Sequence, residues 1–199
     1  MILFFDTETT GFYSNRLPFD HDDQPRLVQI ALPLTEDDGE PVASASLIVN
    51  PGVPIPERAA QVHGITNERA EAMGVSEKTA LALFTFMADR SDLIVAHNIA
   101  FDINVMACAY ARSGHEAPEW ATFCTMDAAC PIINLPPTDR MKAAGINRPK
   151  SPRLEECVRH FFDEDLEGAH DAIVDLNACA RVFFHLKSLD QMQQEATSP

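Results

Sequence analysis

The apolar run Ile2-Leu3-Phe4-Phe5 stops abruptly at Asp6-Thr7-Glu8-Thr9, and this junction constrains the fold more than any other feature of the chain. The run reads as a short buried strand. Residues two apart in an extended strand point to one side, so Asp6 and Glu8 share a face. Desolvating a carboxylate costs several kcal/mol, and two together repel, so the pair cannot be buried without partners. The strand must end at an opening, or its acids must hold cations.

Later segments suit a sheet with such an opening. Arg26–Leu32 and Ala43–Val49 read as strands, and with the first they form an antiparallel meander interrupted by a polar loop at Tyr13–Pro25 and a turn at Glu36–Glu40. Short helices are expected at Glu57–His63 and Asn67–Met73 around Gly64, then a helix capped by Ser76 and running to about Arg90. Leu93–Ala96 is a fully apolar strand. A helix ending at Gly114 follows it, and then a short strand at Phe123–Met126. Pro131–Arg153 reads as one long irregular loop carrying Arg140, Lys142, Arg148, Lys150 and Arg153, and Leu154–Phe162 and Asp171–Leu189 read as the last helices. Strands first, then alternating helices and strands, predict an α/β fold with a mixed sheet flanked by helices. The 199 residues are enough for a single domain, taken as 1–190, with a flexible polar tail at 191–199.

Two further acidic groups join the first pair. Asp102 opens the helix after the apolar strand, within His97-Asn98-Ile99-Ala100-Phe101-Asp102, where an acid also suits the positive end of the helix dipole. His170-Asp171-Ala172-Ile173-Val174-Asp175 opens the last helix. On a regular helix, residues five apart diverge by about 140°, so His170 meets Asp175 only from a non-helical turn. The sheet can therefore gather four carboxylates and one imidazole from three elements. Oxygen-only ligands suit hard divalent ions, and a pair of ions roughly 4 Å apart suits phosphoryl displacement.

Charge pulls the other way. Fifteen Lys and Arg against 30 Asp and Glu leave a formal charge of -15, which repels polyanions at long range unless bound cations reverse the sign locally. The one basic cluster, Arg140 to Arg153, is the candidate groove for a phosphate backbone, with Lys150 and Arg153 nearest the site. Asp20, Asp22 and Asp23 read as a solvated loop, since no ligand-spacing pattern follows them. The five Cys are scattered among apolar residues and read as buried reduced thiols, and the short apolar start lacks a basic flank. A soluble cytoplasmic protein with no membrane contact is the resulting expectation.

In order along the chain, four motifs resemble those of the DEDDh (DnaQ-like) 3'-5' exonucleases. Asp6-Thr7-Glu8-Thr9 resembles the first, His97-Asn98-x-x-Phe101-Asp102 the second and His170-x-Ala172-x-x-Asp175 the third, while His63-Gly64-Ile65-Thr66 resembles a further signature between the first two. The resemblance implies an RNase H-like fold with a five-stranded mixed sheet holding one antiparallel strand. It implies Asp6, Glu8, Asp102 and Asp175 as ligands of two Mg²⁺ ions, for which Mn²⁺ substitutes, with Asp6 bridging both and His170 as general base. Thr7 and Thr9 would face the terminal nucleotide, and His63 would line the pocket for the 3'-terminal sugar or base. Asn98 would hydrogen-bond near the site or brace the loop carrying Asp102. Phe101 reads as packing, and Phe12 either stacks on a base or covers the core edge. The implied partner is a single-stranded 3' end. DNA is favoured over RNA because the opening Asp-Thr-Glu-Thr-Thr-Gly resembles proofreading and repair members. A polymerase partner is possible, and monomer and homodimer stay open. An exoribonuclease of the same fold and a non-catalytic polymerase-binding module are the alternatives.

Overall fold

A computed structural model describes residues 1–167 and 172–197, with side chains described for all of these except residues 172 and 191–197. Seven strands form one mixed sheet: β1 (Ile2–Phe4), β2 (Asp6–Thr9), β3 (Leu27–Thr35), β4 (Pro41–Asn50), β5 (Val75–Ser76), β6 (Leu93–Ala96) and β7 (Thr122–Cys124). The order is β5-β4-β3-β1-β6-β7, with β2 also paired to β3. Only β3 runs against the others, because its pairings with β1, β2 and β4 are antiparallel while β1–β6, β6–β7 and β4–β5 are parallel. The single antiparallel strand thus agrees with expectation. Seven strands replace the expected five because the first strand breaks at Phe5 and a two-residue strand pairs with the end of β4.

The helices are α1 (Glu57–His63), α2 (Asn67–Met73), α3 (Glu77–Ala88), α4 (Ile99–Arg112), α5 (Thr125–Ile133), α6 (Asp139–Ala143), α7 (Leu154–Phe162) and α8 (Ala172–Thr197). Ser76 caps α3 by accepting from the Thr79 amide at 3.1 Å. Alternation along β3 divides the core. Ile30, Leu32 and Leu34 pack with Phe84, Met106 and Tyr110 of α3 and α4. Ala31 turns to the other face with Phe4, Leu176, Cys179 and Phe183, where α8 crosses the sheet. A smaller cluster of Val28, Ile55, Ile65 and Ala70 seats α1 and α2 beside β3.

The segment 131–153 corrects the expectation of an irregular loop. Residues 125–133 are α5, with Pro131 inside it, and 139–143 are α6. A proline in the seventh position of a helix removes one backbone bond but leaves the first turn intact. That turn is held by the Asp127 amide bonded to Cys124 Sγ at 3.4 Å. Thr138 caps α6 by accepting from the Met141 amide at 3.2 Å. The fifth main strand is correspondingly shorter than expected, ending at Cys124 where α5 begins. Helix α8 continues to Thr197, past Gln191, where the sequence reading begins a tail. All five cysteines are free thiols, and those at 108, 157 and 179 are buried. No helix among the described residues is long and apolar enough to cross a membrane.

Candidate active site

The opening that the acid pair requires lies where the sheet ends. Phe4 is level with Val95 in the β1–β6 register, and the Phe5 amide donates to the Val95 carbonyl at 3.1 Å. Beyond Ala96 the chain leaves the sheet, so β2 runs on paired only to β3. Asp6 and Glu8 therefore stand past the end of β6, in the crevice outside the carboxyl ends of β1 and β6, where ligands bind in open α/β sheets. The strand alternates as predicted: Asp6 and Glu8 are half-buried, Thr7 and Thr9 buried.

Helix α4 closes this gap. Asn98 turns the chain with φ 70° and ψ 44°, a left-handed conformation that asparagine tolerates better than most residues. Its side chain makes no capping hydrogen bond. Asp102 then projects from the first turn of α4 with 3% of its surface exposed. The Thr7 amide and hydroxyl both donate to Asp102 Oδ1, at 3.1 and 2.7 Å, pinning α4 to β2. The Thr9 hydroxyl donates to the Gly11 carbonyl at 2.6 Å. Both threonine hydroxyls thus donate within the protein.

Like charge dominates the site. Burial, then Asp6, then Asp175 push Glu8 up to about 8. Burial, followed by Asp6, holds Asp102 well above the usual carboxylate range despite its two hydrogen bonds from Thr7. Cys179 on α8 is pushed up to about 12, chiefly by burial and further by Asp6 and Asp102. Four carboxylates from β2, α4 and α8 therefore act on one another at one end of the sheet. Among the described residues, no three His, Cys, Asp or Glu side chains are drawn together at metal-ligand spacing. An all-oxygen donor set whose members repel fits a hard divalent cation, which would relieve that repulsion. His170 and Asp171 lie outside the described residues.

A cleft of about 440 Å³ adjoins Glu8, between the Thr7–Phe12 segment and α1. His63 lines it. Its Nδ1 accepts from the Ile65 amide at 3.1 Å, and burial lowers the pKa of the ring. Gly64 makes this turn possible with φ 70°, a left-handed value that caps α1 at little cost for glycine. Phe12 is 86% exposed and meets Phe101 edge-on at 6.3 Å between ring centroids. Phe101 packs against the core.

The other flank is His97. Burial lowers its pKa; Nε2 donates to the Pro152 carbonyl at 3.1 Å, and Nδ1 shares a hydrogen bond with the Thr125 hydroxyl at 2.9 Å. This imidazole ties residues 150–153 to the loop that carries Asp102. The basic residues there are largely spent. Lys150 pairs with Glu156 and Arg153 with Glu155, and the Arg153 amide donates to Glu156 at 2.7 Å. Arg148 is exposed and has no ion pair among the described residues. The acidic loop is ordered around buried Gln24, whose amide nitrogen donates to the carbonyls of Ser14, Leu17 and Pro18. Sequence reasoning missed the roles of His97 and Thr125. It also missed Arg58 and Val62, whose spacing of four along α1 was the available signal.

Known proteins share this fold. The PolC-type DNA polymerases III of Lactococcus lactis subsp. lactis strain IL1403 and Streptococcus suis strain 98HAH33 are each 28% identical, over 187 and 182 residues. The matches cover 90% of this chain and 10% and 11% of those polymerases, so the chain spans about a tenth of their length. Among solved structures, Escherichia coli Exonuclease I in complex with a dT13 oligonucleotide superposes with a TM-score of 0.74 at 21% identity, covering 98% of this chain and 42% of that one. The zinc-bound complex of the same enzyme with single-stranded DNA gives 0.68 at 20% identity, covering 94% and 42%. These likenesses establish the fold. A model of the exonuclease family matches residues 3–183, nearly the whole chain, and the chain belongs to that family, the RNase_T exonucleases.

Proposed function

We propose that the chain is a metal-dependent 3'-5' exonuclease that hydrolyses the terminal phosphodiester of a single-stranded or frayed DNA end, releasing nucleoside 5'-monophosphates. The observation that carries this reading is the partly buried, mutually repelling carboxylate set at the open end of β2, beside a cleft of nucleotide size. Asp6, Glu8, Asp102 and Asp175 would hold two divalent ions, Mg²⁺ with Mn²⁺ as substitute, Asp6 being shared. Bound ions would stabilise the charge that develops on the scissile phosphate.

The chain's own residues do the rest. Thr7 fixes the orientation of Asp102 through two donors. His63, Phe12 and the Thr7–Gly11 backbone enclose the terminal nucleoside, with Phe12 offering a face for stacking. His170 takes the proton of the attacking water, a task suited to an imidazole near neutral pH. DNA is favoured because the structural neighbours carry DNA oligonucleotides, and the polymerase relatives make a polymerase a candidate partner. Product analysis by mass spectrometry tests the reading. Nucleoside 5'-monophosphates from DNA, faster than from RNA of the same sequence, are expected. Products bearing a 3'-phosphate would overturn the chemistry, and faster RNA cleavage would reassign the substrate.

The strand 5' of the cleft is proposed to run past residues 148–153, where His97 is bonded to the Pro152 carbonyl. Reversing charge at Arg148, Lys150 and Arg153 should raise KM several-fold with little change in kcat. Arg148→Glu alone should carry much of the effect, since it breaks no ion pair. An unchanged KM at low salt would exclude this path.

A further inference from the structure

Helix α1 presents two adjacent ridges to the cleft, Ala59 with His63 and Arg58 with Val62, each pair four residues apart. Arg58 is the one Lys or Arg among the residues lining this cleft. In a chain of net charge -15, most other cations are already engaged. Arg26, Arg112, Lys142, Lys150, Arg153, Arg159 and Arg181 have carboxylate partners, Arg90 covers the Phe86 ring, and Lys187 donates to the Asp37 carbonyl. The side chain of Arg58 is exposed and makes no hydrogen bond or ion pair among the described residues. An unpaired guanidinium on the wall of a nucleotide-sized cleft in an acidic protein is matched to a phosphate, which its planar fork can take through two parallel N–H bonds.

We propose that Arg58 is a phosphate-binding residue of this cleft, gripping a phosphate of the strand end bound there. The inference rests on the exonuclease reading and adds to it a second anchor besides Phe12. The phosphate is either an internucleotide one or a terminal 3'-phosphate, and both present the same anionic oxygens. Kinetics of wild type, Arg58→Ala and Arg58→Lys on strands ending in 3'-hydroxyl or 3'-phosphate, over a range of KCl, test it. Anisotropy of the same strands, labelled at the 5' end, gives binding independently of cleavage.

Arg58→Ala should raise KM and Kd about tenfold, as for one charge-assisted contact, with kcat little changed. It should also flatten the slope of log Kd against log salt by about 0.7, the value for one phosphate on a single strand. Arg58→Lys should recover most of that slope. An effect on both strands identifies an internucleotide phosphate, and one confined to the phosphorylated strand a terminal phosphate. Unchanged Kd, or a loss that depends on the terminal base with an unchanged salt slope, overturns the proposal. An inactive wild type would instead count against the exonuclease reading, while the anisotropy series would still decide the role of Arg58. Melting temperature should not move, because the side chain has no partner to lose.

Discussion

Asp102→Asn is expected to lower the rate of strand hydrolysis by about a thousandfold or more, the equivalent of several kcal/mol of transition-state stabilisation. The fold should survive. Asparagine retains a carbonyl oxygen, which can still accept from the Thr7 amide and hydroxyl that now bond Asp102 Oδ1. In the absence of metal, the variant should be as stable as the wild type or more so, because it removes a carboxyl whose ionisation is opposed by burial and by Asp6. Glu8→Gln should behave in the same way. Activity and thermal melting in chelator, measured on one preparation, separate the possibilities. Lost activity with unchanged or raised melting temperature fits a ligand role. Lost activity with a large drop in melting temperature would make Asp102 structural, and retained activity would remove it from the reaction.

The second large effect is on stability against pH. Glu8 titrates at about 8 in the folded chain against an ordinary 4.5. Between those values the folded state holds a proton that the unfolded state has released. Stability from this group is complete below about 4.5 and is lost as pH rises through 8. Asp102, also raised, acts in the same direction. The metal-free protein should therefore melt roughly 5–10 °C lower at pH 8 than at pH 5, reflecting a few kcal/mol. Saturating Mg²⁺ should recover most of the loss at pH 8 and little at pH 5, since the ion competes with the proton for the same oxygens. Glu8→Gln should flatten the metal-free curve. A wild-type curve already flat from pH 5 to 8, or an equal Mg²⁺ effect at both ends, would contradict the cluster's electrostatics.

Much of this arrangement was legible in the sequence wherever one local rule sufficed. Alternation placed Asp6 and Glu8 on one side of β2, apolar runs located β1 and β6, and capping and glycine placed α1, α2 and the start of α3. What escaped depended on contacts between distant segments. Pro131 read as the start of a loop because a proline inside a helix is costly, yet packing of Ala129 with Cys157 and Val182 holds α5 in place. Lys150 and Arg153 read as the part of the basic groove nearest the site, and the local pairs that engage them, with Glu156 and Glu155 only six and two residues on, were overlooked. The threonines of the first motif read as substrate contacts, and their hydroxyls turn out to be bonded within the protein. His97 stood in a recognised motif without a role until the fold brought Pro152 and Thr125 to its two nitrogens.

The most direct test of the account follows strands labelled at the 5' end: 3'-free DNA, 3'-blocked DNA and 3'-free RNA, each with Mg²⁺ and with chelator. A ladder shortening from free 3' ends in Mg²⁺, absent in chelator and absent on the blocked strand, is the predicted result. Folded protein that yields no ladder with Mg²⁺ or Mn²⁺, or cleavage that continues in chelator, would contradict a metal-dependent 3'-5' exonuclease built on Asp6, Glu8, Asp102 and Asp175.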